Sequence, residues 1–344
     1  MSYTLEEIRR QPSDWATTTE LLLNQSEQWR QLFAEKNYEN LYFTGCGTSY
    51  HIAIVAAYLF QEVTSIPCKA VPASEVLLMP DQMINRKANN LLIGVGRSGT
   101  TTESVEAIRK FREEGFGDSL SIACQSQAPA SAAASFAIEL GHVTDRSVVM
   151  TGTFTNLVLA TQLLAGIVAD NAAYVQQLQL LPEIGLRVLQ SSESIAERYG
   201  SDLNIRQFIY LGLGGYYGLA AEAVLKLKEM TQTPTEAYNP LEFRHGPISI
   251  VDANTLVTLF QSDKAPQVQV DVLKNVRTLG GKTLVISDVD TDEPCFALAS
   301  NVPDTVRAIL YMPYAQLVGY HRAIALGLDP DQPRNLSHVV TLSL

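Results

Sequence analysis

Leu41-Tyr42-Phe43-Thr44-Gly45-Cys46-Gly47-Thr48-Ser49 runs from an apolar, β-prone stretch into a glycine-rich loop, and a helical pattern follows. A second stretch repeats the arrangement: Leu91-Leu92-Ile93 leads to Gly96-Arg97-Ser98-Gly99-Thr100-Thr101-Thr102 and then to another helical pattern. In both, glycine-permitted backbone N–H groups and several hydroxyls converge where a helix N-terminus carries partial positive charge. One such loop alone reads as a plain strand-to-helix turn with an N-cap. Two of them at the carboxyl ends of strands in one α/β unit mark the place where open parallel sheets bind ligands, here a phosphate-like anion. Neither loop is a Walker A motif. Neither is a G-x-G-x-x-G fingerprint, because Tyr50 fills the third glycine position after Gly45 and Gly47.

Outward from these loops the chain alternates. Strand-like runs at Asn40–Thr44, Cys68–Val71, Leu91–Val95 and Ser119–Cys124 are separated by helical ones, after an N-terminal helical segment from about Trp15 to Ala34. Such alternation specifies a parallel sheet with helices on both faces. A helix-rich middle, Thr155 to about Arg198, includes the apolar stretch Leu157–Val175. Gln162, Asp170 and Asn171 interrupt that stretch, so it reads as a buried helix and not as a membrane span. The pattern then restarts: Gln207 to Gly215 echoes the first strand and loop, Thr255–Phe260 the second and Lys282–Ser287 the third. One α/β module is used twice. The copies differ, since Gln261-Ser262-Asp263-Lys264 stands where the first copy has its Gly96–Thr102 loop. It lacks glycine and has an acidic residue, so only the first copy is expected to bind phosphate.

A chain of 344 residues, 46% hydrophobic and 18% charged, has apolar content for two cores. Its formal net charge of −11 and lack of a long basic run argue against a nucleic-acid binder. Cys46, Cys68, Cys124 and Cys295 are scattered, with no C-x-x-C pair and no histidine at ligand spacing, so neither a zinc site nor a disulfide framework is indicated. The N-terminus, Met1 to Asp14, is polar and does not read as a signal peptide. A cytoplasmic protein with no membrane partner is expected.

The second copy carries a different constellation, Glu222-Ala-Val-Leu-Lys226-Leu-Lys228-Glu229 followed by Glu242-Phe243-Arg244-His245-Gly246-Pro247. On a helix Glu222, Lys226 and Glu229 share one stripe, beside an apolar stripe of Leu219, Ala223, Leu227 and Met230. Spacing alone reads the charged stripe as a solvated face, with an ion pair worth about 0.2–0.5 kcal/mol. His245, held before a Gly-Pro turn, reads alone as a hydrogen-bonded surface residue. Chemistry offers a second reading. Moving a carbonyl between C1 and C2 of a sugar needs a carboxylate to shuttle a proton and another group to open the ring, and Glu229 and His245 are of those types.

These motifs, with Gln11-Pro12, Ala73-Ser74-Glu75 and Asp331-Gln-Pro-Arg-Asn-Leu336, resemble the sugar isomerase (SIS) domain family over almost the whole chain. The resemblance is to the double-SIS isomerase portion of glucosamine-6-phosphate synthase and its stand-alone relatives: glucosamine-6-phosphate deaminases, fructosamine-phosphate deglycases and other phosphosugar isomerases. It implies an α/β fold of two tandem SIS domains, each a parallel sheet flanked by helices in a three-layer, flavodoxin-like αβα arrangement. The expected division is an N-terminal segment over 1–25, a first domain with the phosphate loops over 26–165, a second with the catalytic Glu and His loop over 195–330, and a tail at the active site over 331–344. The resemblance also implies a homodimer with an active site shared between subunits, a sugar-phosphate ligand, and no metal or organic cofactor.

Residue by residue, the resemblance implies that Thr48 and Ser49 lie near the sugar and that Gly96, Arg97, Ser98 and Thr101 surround the phosphate. Val148 and Ser337 fall in segments lining the pocket. Glu229 matches the base moving the proton between C1 and C2, with Lys226 one helical turn earlier. His245 matches the ring-opening histidine, which the synthase takes from the neighbouring subunit. His338 stands where the synthase has a Schiff-base lysine. Imidazole cannot form that imine, so an imine-free route is expected, with Lys226 the one amine on the stripe that burial could turn neutral and reactive. Arg97 is a further departure from the synthase loop. Its fork of donors suits phosphate or sulfonate, the alternative being a side chain in solvent or paired with Glu103.

The chain contains no glutaminase segment, so ammonia delivery from glutamine is not expected. The leading expectation is aldose–ketose isomerisation of a hexose or amino-hexose 6-phosphate, with deamination where the sugar carries an amine. A fructosamine-6-phosphate deglycase and a non-catalytic sugar-phosphate sensor are the alternatives.

Overall fold

The computed structural model describes residues 2–340 and residue 342. The chain starts with helices α1 (Tyr3–Asn24) and α2 (Ser26–Lys36). It then passes through β1 (Asn40–Gly45), α3 (Thr48–Thr64), β2 (Cys68–Pro72), β3 (Asn90–Gly96), α4 (Thr102–Glu113), β4 (Asp118–Ala123), β5 (Phe136–Glu139) and α5 (Gly152–Val168). After α6 (Leu181–Gly200) the plan recurs as β6 (Gln207–Gly212), α7 (Gly215–Thr231), β7 (Thr235–Tyr238), β8 (Thr255–Phe260), α8 (Pro266–Thr278), β9 (Lys282–Ser287), β10 (Cys295–Ala297) and α9 (Met312–Ala325).

The strands form two five-stranded parallel sheets, ordered β2-β1-β3-β4-β5 and β10-β9-β8-β6-β7. In the first, Phe43 lies opposite Ile93 and Ala70; in the second, Tyr210 lies opposite Thr258 and Ala237. The central strands are buried on both faces, hence their unbroken apolar runs. One face of the first sheet packs Tyr42 and Leu92 against Ile108 and Phe111 of α4. In the second, Ile209, Val257 and Val285 pack against Leu273 and Val276 of α8.

Contacts divide the chain into two modules. The N-terminal module comprises Gln11–Asp145, Gly152–Leu180 and Ser337–Leu344; the C-terminal module comprises Met1–Arg10, Arg146–Thr151 and Leu181–Leu336.

Three edge strands, β5, β7 and β10, have no counterpart in the sequence reading. With three or four residues each they hold too few alternations to stand out from loop. The apolar middle helix ends at Val168, short of Val175, because Asp170 turns left-handed at φ 49° and Asn171 caps a new short helix by accepting the Tyr174 N–H. The first helix begins at Tyr3, well before Trp15, and continues through Pro12. Its start is secured from far along the chain: Asp331 accepts the backbone N–H groups of Tyr3 (2.9 Å) and Thr4 (2.8 Å) and the hydroxyl of Ser2 (2.6 Å). Among the described residues no helix is long and apolar enough to cross a membrane.

Candidate functional site

In the N-terminal module, β1 delivers the chain into Gly45-Cys46-Gly47 and α3. A Cβ on Gly45 would stand 2.6 Å from Cβ of Ser49, and Gly47 caps α3 at φ 57°, ψ −125°, so both positions require glycine. This tight turn places Thr48 and Ser49 in the first turn of α3, 6% and 7% exposed. The loop after β3 comes alongside: a Cβ on Gly96 would lie 3.9 Å from Oγ of Ser49 and 3.8 Å from N of Gly99. Ser49 and Gly96 therefore lie side by side where the two loops meet at the carboxyl ends of β1 and β3.

Within the second loop Gly99 is left-handed (φ 61°), Thr100 donates its N–H to Ser98 Oγ (3.2 Å), and Ser98 Oγ lies 2.7 Å from Thr100 Oγ1. Thr101 is the N-cap residue of α4 without a side-chain capping bond. Arg97 turns to the C-terminal tail, donating from Nη2 to the His338 carbonyl at 2.9 Å. Ser337 Oγ donates to the Val339 carbonyl (3.0 Å), and the Leu342 N–H donates to Thr102 Oγ1 (3.2 Å). A cavity of about 390 Å³ between loop and tail is lined by Arg97, Ser98, Gln125, Asp145 and His338, among others. Of the tail expected over 331–344, residues 341, 343 and 344 lie outside the described residues.

The C-terminal module repeats the first turn. A Cβ on Gly212 would meet the Tyr216 carbonyl oxygen at 2.1 Å, and Gly214 caps α7 at φ 60°, ψ −128°. The charged stripe on α7 is buried, which overturns the solvated-face reading. Glu222 and Lys226 are fully buried; Lys226 Nζ sits 3.3 Å from Glu222 Oε1 and 2.6 Å from Glu229 Oε2. Only Glu229 of the three reaches solvent, with its side chain 21% exposed. α9 covers this helix closely, since a Cβ on Gly319 would meet Met230 Cε at 2.4 Å and lie 3.7 Å from the Lys226 carbonyl.

Burial by itself would lower the Lys226 pKa, but Glu222 and Glu229 outweigh it and hold the ammonium above its ordinary range. A protonated Lys226 is a poor nucleophile, which accords with the imine-free route expected from the sequence.

Val148 also lies in the C-terminal module. Its N–H donates to the Asp331 carbonyl at 3.1 Å, and its neighbour Val149 packs with Met230, the residue after Glu229. The buried carboxylate of Glu7 holds this segment, accepting the N–H groups of Arg146 and Ser147 and the hydroxyl of Ser147. Nothing in the sequence marks Glu7, since its partners lie about 140 residues away. His245 is exposed in the loop after Phe243, its N–H bonded to the Glu242 carbonyl (3.0 Å), and Gly246 turns the chain at φ 127°. Among the described residues no three His, Cys, Asp or Glu side chains gather as metal ligands.

A SIS domain matches residues 33–166 and again 203–300. Over 99% of its length the chain is 30% identical to the glutamine–fructose-6-phosphate aminotransferase (isomerizing) of Pseudomonas aeruginosa. It spans 59% of that relative's length. Among solved structures it is similar to glucosamine-6-phosphate deaminase from Thermotoga maritima, with TM-score 0.81, 27% identity, and 99% of this chain and 100% of that one covered. The tagatose-6-phosphate ketose/aldose isomerase of Escherichia coli gives TM-score 0.87 and 26% identity, with 96% of this chain and 94% of that one covered. The chain belongs to the SIS family, with two SIS domains in tandem as in the double-SIS sugar isomerases.

Proposed function

We propose that this SIS-domain chain is a phosphosugar aldose–ketose isomerase for a hexose or amino-hexose 6-phosphate. The observation that carries the proposal is the α7 trio: a buried ammonium held between two carboxylates, one of which, Glu229, reaches solvent. A general base must meet its substrate yet stay fixed in position, and Lys226 provides that anchorage.

In this reading Glu229 takes the proton from C2 of the open-chain aldose. The C1 oxygen gains a proton and the C2 hydroxyl gives one up as the enediol forms and collapses, and Glu229 returns its proton to C1. If C2 bears an amine, the enolamine becomes a ketimine, and water releases ammonia and leaves the ketose phosphate. The Gly96–Thr101 loop with Thr48 and Ser49 takes the phosphate through backbone N–H groups, hydroxyls and Arg97. Family resemblance assigns ring opening to His245, from the neighbouring subunit of a cytoplasmic homodimer, and Val148, Ser337 and His338 to the pocket lining. Similarity to a glucosamine-6-phosphate deaminase structure, 100% of whose chain is covered, supports the amino-sugar branch.

The test is a panel of hexose, 2-amino-hexose and fructosamine 6-phosphates, following ketose formation and ammonia release separately. Ketose from a hexose or amino-hexose phosphate is expected. Turnover of the fructosamine phosphates alone would replace this reading with a deglycase, and binding without turnover would replace it with a sensor.

A further inference from the structure

Ser262 stands two residues beyond the end of β8, as Ser98 stands two beyond the end of β3, and both build the same turn. Thr100 N–H bonds Ser98 Oγ at 3.2 Å; Lys264 N–H bonds Ser262 Oγ at 3.1 Å. In this register Asp263 takes the place of Gly99. The second loop already holds an anion, supplied by its own chain: Asp304 Oδ2 accepts the Ser262 hydroxyl at 2.7 Å and the Asp263 N–H at 3.2 Å. Asp304 and Ser262 are 8% and 4% exposed. A guanidinium completes the surroundings. Arg307, 2% exposed, donates from Nη1 to Asp263 Oδ2 (2.9 Å) and to the Val302 carbonyl (2.8 Å), and from Nη2 to Asp263 Oδ1.

We infer that the loop after β8 is a second oxyanion-binding cradle, with the Asp304 carboxylate as its built-in ligand. A hydroxyl and a backbone N–H converge on one acceptor, and a buried arginine is paired to the neighbouring Asp263; groups of these kinds recognise phosphate or sulfate. The Asp263 carboxylate is paired with Arg307 while Asp304 occupies the donors. Asp304 is not the only group that holds the cradle. Gln269 clasps the loop from α8, accepting the Ser262 N–H at 3.2 Å and donating to the Ser262 carbonyl at 3.0 Å. This inference is independent of the proposed reaction, since it concerns which anion fills a loop of the C-terminal module.

Calorimetric titration with inorganic phosphate tests it by stoichiometry. Asp304→Ala is expected to bind one more phosphate per chain than the natural protein, whatever number the natural protein binds. Asp304→Asn, whose amide oxygen still accepts both bonds, is expected to match the natural protein. Asp263→Gly combined with Asp304→Ala is expected to bind the added phosphate more tightly still, because Arg307 is released to it. If Asp304→Ala folds only in phosphate and not in chloride of equal ionic strength, the rescued protein is titrated in turn, and one more bound phosphate per chain than the natural protein holds under the same conditions supports the inference. A folded Asp304→Ala that binds no additional phosphate, or one that phosphate does not rescue, overturns it.

Discussion

The loops after β3 and β8 end equivalent strands and fold around a serine in the same way, yet they turn their donors to different partners. In the first, Gly99 keeps the loop free of a side chain at its tip, and Arg97 reaches across to the C-terminal tail. In the second, Asp263 occupies the tip, Arg307 is fastened to it, and Asp304 accepts from the serine. The contrast lies in what meets the donors: in the second loop a carboxylate of the same chain already accepts from the serine and from the Asp263 N–H. A carboxylate from the same chain, already in place, needs no association entropy to occupy donors that a free anion would have to pay for. The C-terminal module is then left to hold the Glu222, Lys226 and Glu229 trio.

The sharpest way to break this division of labour is Glu229→Gln. The amide keeps the shape and loses the base, so turnover is expected to fall by ~10²–10⁴ with sugar-phosphate affinity nearly unchanged. Steady-state kinetics beside calorimetric binding measures both, and near-normal turnover would remove Glu229 from its role.

The converse substitutions probe the loops. Arg97→Ala and Ser98→Ala are each expected to weaken phosphate-ester binding by about 1.5–3 kcal/mol, the usual worth of a hydrogen bond to a charged group. Ser262→Ala is expected to leave that affinity alone and instead to lower the melting temperature, since it takes a donor from the buried Asp304 carboxylate. Equal losses of affinity from both loops would erase the asymmetry.

The smallest expected effect is none at all. An imine needs a neutral amine, and Lys226 is held protonated by its two carboxylates through neutral pH and beyond the ordinary lysine range. The charge of Lys226 therefore stabilises the fold below the ordinary lysine range for as long as its carboxylate partners are ionised, and this contribution fades as pH climbs through the raised value. Borohydride added during turnover at pH 7 is accordingly expected neither to inactivate the protein nor to attach ketose to it. Substrate mass found on Lys226 by peptide analysis would contradict this. A His338→Lys variant that becomes trappable would show that the tail position still meets the ketose.

The alternation of β-prone runs with helical patterns, and its restart at Gln207, was enough to establish two parallel α/β modules. The glycines of both first turns were equally plain, because strand and helix periodicity and turn chemistry are short-range properties carried by adjacent residues. Burial of the Glu222–Lys226 pair was not legible, since i, i+4 charges look alike on a solvated helix and on one covered by α9. The hold of Asp331 on Tyr3 bridges 328 residues, and that of Asp304 on Ser262 bridges 42. Arg97 likewise finds a carbonyl 241 residues away. A carboxylate in a sequence carries no sign of which donors the folded backbone will bring to it, so the tertiary structure alone decided which loop is filled and which charges are buried.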